Sequence, residues 1–163
     1  MRAAVYERFG VPSEVLNTGE RPTPQPGPGQ VRVRMMLSPI HNHDLWTIRG
    51  TYGHKPALPA VGGSEAVGIV DALGPGVMEP AIGQRVVAAG IADAWADYFL
   101  APAAAAVPLP DGIDDDTACQ LIAMPLSSLM LLEDLQIASG QCMIQDAANG
   151  AVGKIVAMLA KAR

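Results

Sequence analysis

Three small residues near the end of the chain are spaced for phosphate chemistry. Ala148, Gly150 and Gly153 fit A-x-G-x-x-G, a dinucleotide fingerprint with alanine in first place. The run Ala148-Asn149-Gly150-Ala151-Val152-Gly153 must turn tightly and let a pyrophosphate approach the backbone. It must also pack the following helix closely against what precedes it. The helix N-terminus then presents N–H groups and a positive dipole end to the phosphates. The same residues would equally make a plain small-residue turn. A second constellation is His41-Asn42-His43-Asp44, an H-x-H-D cluster that could ligate a metal together with Glu65. With two imidazoles and no clear third ligand, the competing role is structural. One of these polar residues caps a helix starting there, and the histidines line a cleft.

These candidates need elements to hold them. Before the nucleotide turn, Cys142-Met143-Ile144-Gln145 reads as a buried strand, and after it Lys154–Lys161 reads as a helix. Residues 1–100 read as β-rich. Strands are expected at 1–6, 15–20, 31–35, 65–73, 85–89, 95–100 and 104–107, with a short helix at 42–49. A Gly/Pro-rich loop runs from Gly50 to Gly63, and Gly74-Pro75-Gly76 makes a turn. Short strands with frequent turns predict a small barrel. From Asp114 the period becomes helical, over 114–122 and 126–135. Asp114-Asp115-Asp116 reads as helix N-terminal acid favoured by the dipole, not as a metal cluster.

The chain has 163 residues, half of them hydrophobic, with a net charge of −5. That composition supports a globular core and speaks against nucleic acid as a partner, since no basic cluster is present. Cys119 and Cys142 lie in apolar surroundings without CxxC spacing, so both are expected as buried free thiols in a reducing, cytoplasmic compartment. No apolar run approaches the ~18 residues of a membrane span, and Met1-Arg2 leads directly into a strand, so no membrane partner or leader is expected. One strand and one helix cannot complete a doubly wound sheet. The expectation is therefore half of a longer enzyme or a truncated product.

With Pro59-Ala60-Val61-Gly62-Gly63-Ser64-Glu65-Ala66-Val67-Gly68 in the barrel and 147–153 at the nucleotide turn, the whole chain resembles the first half of the medium-chain dehydrogenase/reductase superfamily. The resemblance implies an α/β and β fold: a GroES-like β-barrel over 1–113, then connecting helices and the start of a Rossmann doubly wound parallel sheet over 114–163. It implies an active site between the two domains. Zinc members of the superfamily place a Cys, a Gly-His-Glu histidine and a second Cys on the metal. The matching positions here are His41, Ser64 and about Met124, and the cysteines of a structural zinc lobe are missing from 83–96. The expected metal is none.

Within the zinc-free branch, three segments look most like mitochondrial-type 2-enoyl thioester reductases. They are Ser38-Pro39-Ile40 through Asp44, Ile48-Arg49-Gly50-Thr51-Tyr52-Gly53, and Leu58 through Gly63. The resemblance makes Tyr52 the catalytic residue, donating a proton or a hydrogen bond at the enoyl carbonyl. The alternative is a loop aromatic packed over the barrel. His41, Asn42, Ser64 and Met124 would line the cleft, with His41 and Met124 departing from that group's residues. Ser127 and Ser128 would lie near the nicotinamide, or else cap their helix. Trp46 and Trp95 are expected in a core or interface, and Glu65 in a structural hydrogen bond near His41.

The cofactor implied is NADPH, with NADP favoured over NAD by resemblance alone. The partner implied is a small-molecule substrate, possibly a CoA or carrier-protein thioester, in an enzyme that is a homodimer when complete. Three functions compete: reduction of a C=C bond conjugated to a carbonyl, reduction of a quinone, and a truncated chain without activity of its own.

Overall fold

A computed structural model describes residues 1–162; Arg163, at the end of the stretch read as the nucleotide helix, lies outside the described residues. The chain divides into two compact units, Met1–Cys119 and a second from Gln120 onward.

The first unit is built from two antiparallel sheets. In the smaller, β1 (Arg2–Tyr6) lies between β2 (Asn17–Glu20) and β4 (Ala60–Val61). The larger runs in the order β7 (Tyr98–Pro102), β3 (Gln30–Leu37), β5 (Glu65–Leu73), β6 (Arg85–Ala89) and β8 (Val107–Pro108). Alternation along β3 turns Val31 and Val33 inward onto Val70, Val86 and Phe99, all almost fully buried. Each such side chain contributes roughly 1.5–3 kcal/mol of burial. The intervening Arg32 faces out, where Asp71 Oδ2 accepts from its Nε at 2.7 Å and its guanidinium lies over the Tyr98 ring. β3 and β5 approach so closely that a Cβ on Gly68 would fall 2.3 Å from the Arg34 carbonyl oxygen.

Helices α1 (Pro12–Val15), α2 (Asn42–Arg49) and α3 (Asp115–Ala118) belong to the same unit. Both ends of α2 are written in the sequence. His41 is its N-cap, and the His41 N–H donates back to Asp44 Oδ2 at 2.9 Å. Gly50 ends it in the left-handed region at φ 74°, donating to the Thr47 carbonyl. At α3, Asp114 Oδ1 accepts from the Thr117 N–H at 2.7 Å, which holds its carboxyl below the ordinary range, and Asp115 pairs with Arg85.

The second unit contains α4 (Ala123–Leu135) and α5 (Ala151–Ala162), packed on each other. No helix among the described residues is long and apolar enough to cross a membrane.

The structure corrects several expected elements. The strand expected at 15–20 begins only at Asn17, because Pro12, with φ already set, starts the one-turn α1 just before it. Of the strand expected at 104–107, only Val107 is in a strand, as the first residue of β8. The alanines lack the β-branching that favours one, and Ala103–Ala105 forms a single 3-10 turn before β8. Trp95 lies outside β7, which starts at Tyr98, and the helix expected to reach residue 122 ends at Ala118.

Residues 142–145 form no strand: none lies alongside them among the described residues, and a strand exists only through its ladder. Ile144 is accordingly 99% exposed, and Cys142 is exposed and not a buried thiol. Cys119 is buried, and that burial pushes its thiol pKa up.

Candidate functional site

A cleft of about 480 Å³ opens in the first unit, lined among others by Tyr6, His43, Asp44, Tyr52, Ser64 and Asp93. Its geometry comes from two short segments that face each other. One is the first turn of α2, carrying His41, His43 and Asp44. The other is the run Gly62-Gly63-Ser64-Glu65, which enters β5.

Trp95 fixes the second segment. A Cβ on Gly62 or on Gly63 would fall 2.3 Å from the indole, so both positions need glycine for the ring to lie against the backbone. The indole N–H donates to the Pro39 carbonyl at 3.1 Å, tying the ring to the loop before α2. The two segments are then joined by polar side chains. His41 Nε2 lies 2.7 Å from Glu65 Oε2, with both side chains buried.

Next to this pair, the Ser64 hydroxyl donates to Asp44 Oδ1 at 2.7 Å, and His43 Nε2 sits 2.7 Å from the same serine oxygen. Asp44 therefore uses one oxygen for the helix cap and the other for Ser64. Against metal binding, the sequence offered a structural reading in which one of these residues caps the helix and the histidines line the cleft; His41 is the cap and His43 lines the cleft. Among the described residues, no group of three or more His, Cys, Asp or Glu is placed to hold a metal ion.

Four rings stack in series, two of them, His43 and Tyr52, lining the cleft. His41 and His43 have centroids 5.0 Å apart, His43 and Tyr52 are 5.8 Å apart, and Tyr52 and Trp46 are 6.5 Å apart. Tyr52 is 42% exposed, and its hydroxyl has no hydrogen-bond partner among the described residues. Trp46 is half exposed beside it, so it is a rim residue and not core. Asn42 opens α2 and is exposed. His41, Ser64 and Tyr52 are thus brought together.

His43, Asp44 and Tyr6 complete the group. The H-x-H-D spacing was the signal for the first two, and nothing in the sequence marks Tyr6. Burial, followed by the Asp93 and Asp44 carboxylates, pushes the Tyr6 phenol pKa up. Partial burial of its carboxylate likewise pushes Asp93 up.

The remaining expected residues sit in the second unit. Met124 is half-buried in the first turn of α4. Ser127 and Ser128 do not cap that helix. They lie within it, and their hydroxyls donate to the carbonyls of Ala123 and Met124, each at 2.8 Å.

Ala148, Asn149 and Gly150 form the turn into α5, with Ala151, Val152 and Gly153 as its first helical turn. The Gly150 N–H closes the turn onto the Ala147 carbonyl at 2.9 Å. A Cβ on Gly153 would fall 2.7 Å from Ala148 Cα, so only glycine lets the helix begin this close to the turn. Gln145 donates to the Gly153 carbonyl at 2.9 Å and braces the same corner. The N–H groups of the first turn of α5 have no partner within the helix. An exposed glycine turn leading into such a helix start fits a dinucleotide pyrophosphate.

Known proteins share these features. The alcohol dehydrogenase GroES-like domain family matches residues 27–111. The mitochondrial enoyl-[acyl-carrier-protein] reductase of Xenopus tropicalis is 34% identical over 162 residues, covering 98% of this chain and 46% of that protein. A mycobacterial protein solved in complex with NADPH superposes with a TM-score of 0.90 at 31% identity, over 99% of this chain and 50% of that one. A quinone oxidoreductase of Pseudomonas syringae pv. tomato DC3000 gives 0.91 at 29% identity, over 99% and 50%. The chain spans about half the length of the relatives it matches.

Proposed function

Because this chain belongs to the alcohol dehydrogenase GroES-like domain family, within the medium-chain dehydrogenase/reductase superfamily, we propose that it carries the substrate cleft and the pyrophosphate turn of an NADPH-dependent reductase. The favoured reaction is reduction of a C=C bond conjugated to a carbonyl, with a 2-enoyl thioester of CoA or a carrier protein as substrate. The barrel expected over 1–113, whose compact unit extends to Cys119, is the substrate domain, and the chain from Gln120 begins the nucleotide domain. A homodimer, a cytoplasmic location and independence of zinc belong to the same proposal. Elemental analysis tests the last; near one zinc per chain, lost in His41→Ala, would contradict it.

The observation that carries this reading is the placement of Tyr52, stacked on His43 at the cleft with its hydroxyl unengaged. Ala148 to Gly153 would hold the cofactor's pyrophosphate, with Ser127 and Ser128 toward its nicotinamide end. When bound, the cofactor supplies a hydride to the β-carbon. The chain's own residues then handle the charge that builds on the carbonyl oxygen. A hydroxyl donor at that oxygen stabilises the developing enolate, and a proton must reach the α-carbon. Tyr52 serves as that donor. His43 and Trp46 both stack with its ring, and His41, through Glu65, anchors the start of α2 that carries His43.

Quinone reduction is the second reading, supported by the likeness to quinone oxidoreductase structures. The two are separated by NADPH oxidation in the full-length protein, assayed with a 2-enoyl-CoA and with a simple quinone. Turnover of quinone but of no enoyl thioester would transfer the function to this second reading.

A further inference from the structure

Tyr6 ends β1 and is the largest fully buried side chain among the described residues, 1% exposed. Its ring packs with Val15, Ile48 and Ala60 and lies 6.3 Å from the Phe9 ring. The ring is therefore fixed by packing alone. Its hydroxyl has no hydrogen-bond partner among the described residues, whereas every fully enclosed side-chain nitrogen and oxygen among them has one. The hydroxyl is thus not enclosed, and the space it meets is the cleft, which Tyr6 lines together with His43, Asp44, Tyr52, Ser64 and Asp93.

A hydroxyl that faces the cleft and has no partner in the protein is free to donate to an acceptor that fits there. Its surroundings narrow the acceptor's chemistry. Asp93 and Asp44 line the same cleft as the phenol and set negative charge beside a group that reaches it. An anion there would meet two carboxylates, whereas an uncharged oxygen would meet only the donor.

We propose that the Tyr6 hydroxyl is a second ligand-binding donor of the cleft, reserved for the oxygen of an uncharged carbonyl and closed to carboxylates. This rests on the cleft being the substrate site and adds a rule for what that site admits. A thioester or quinone carbonyl satisfies the rule; a free 2-enoic acid does not.

The test uses no cofactor and no turnover, which separates it from the proposed reaction. The 163-residue chain, isotopically labelled, is titrated by NMR with crotonamide and with crotonate, an uncharged and an anionic ligand of the same size. Crotonamide is expected to shift the amides of the cleft wall at Gly62, Gly63 and Ile91, with crotonate binding at least about 10-fold more weakly. Tyr6→Phe is expected to weaken crotonamide about 5- to 10-fold, the loss of one hydrogen bond to a ligand. Its thermal midpoint should stay near the wild-type value, because the hydroxyl bonds nothing in the protein. Equal affinity in Tyr6→Phe, no crotonamide binding to wild type, or crotonate binding as tightly as crotonamide would each overturn the proposal. So would unfolding of Tyr6→Phe, which would mean that the hydroxyl has a protein partner.

Discussion

His43 donates to Ser64, and the direction of that hydrogen bond is fixed by stoichiometry. The serine hydroxyl has one hydrogen, and Asp44 Oδ1 accepts it at 2.7 Å. His43 Nε2, 2.7 Å from the same oxygen, must therefore supply its own hydrogen. The imidazole next to Tyr52 is thus held in one tautomer by a side chain from the opposite segment.

Ser64→Ala removes both bonds at once. Asp44 loses a donor, and His43 Nε2–H loses its acceptor at a half-buried position. The expected loss is about 1–3 kcal/mol of barrel stability, the usual cost of leaving such groups unpaired. Denaturant unfolding measures it, and nitrogen shifts of the His43 ring should show that the single tautomer is gone. Unchanged shifts would mean that Ser64 does not orient the ring.

How far this arrangement could be read in advance differs from residue to residue. The ends of α2 were legible because capping is local: His41, Asp44 and Gly50 lie within one helix. Glu65 was legible as a structural hydrogen-bond partner near His41, but Ser64 was legible only as a cleft residue and not as the partner of His43. They meet His41 and His43 across more than twenty residues, a pairing set by the barrel and by Trp95 lying on Gly62 and Gly63. Tyr6 was invisible, since an aromatic ending a strand looks like ordinary core, and only the cleft beside its hydroxyl distinguishes it. The strand expected at 142–145 failed for a related reason. An apolar run states what a segment could bury, but a strand also needs neighbours, and none lies there among the described residues.

Asp93 gives a pH-dependent prediction. Partial burial raises its folded pKa above the unfolded value, only partly countered by a hydrogen bond from the Val61 N–H and by Arg21. The folded state therefore binds the proton more tightly than the unfolded one. Its ionisation disfavours the fold, and this penalty grows as pH rises through the unfolded and then the folded value. Asp93→Asn keeps an acceptor for Val61, and asparagine tolerates the positive φ of 62° found there. The variant should be more stable than wild type at pH 7, with the advantage closing as pH falls toward the ordinary carboxylate range. Thermal midpoints across that range check the sign, and an advantage that grows on acidification would contradict it.

Gly150→Val tests the pyrophosphate turn. A Cβ at Gly150 already sits 3.2 Å from the Ala147 carbonyl oxygen, so a branched side chain crowds the exposed corner where phosphate would approach. In the full-length protein, NADPH affinity should fall by an order of magnitude or more while the barrel's unfolding transition stays in place. Unchanged affinity in a folded variant would reduce the turn to a connection. The 163-residue chain alone should bind dinucleotide poorly, because one turn and one helix are a small part of a doubly wound site.

Tyr52→Phe addresses the central claim most directly. The substitution keeps the ring stacked with His43 and Trp46 and removes only the hydroxyl. In the full-length protein, NADPH oxidation is followed with a 2-enoyl-CoA and with a simple quinone, for wild type and variant. If the hydroxyl donates to the developing enolate, enoyl-CoA turnover should fall about 10²- to 10³-fold, or roughly 3–4 kcal/mol. NADPH affinity should hold, and quinone reduction, which needs no α-carbon proton, should be less affected. A Tyr52→Phe enzyme that reduces enoyl-CoA at the wild-type rate would contradict the account and leave Tyr52 a packing residue.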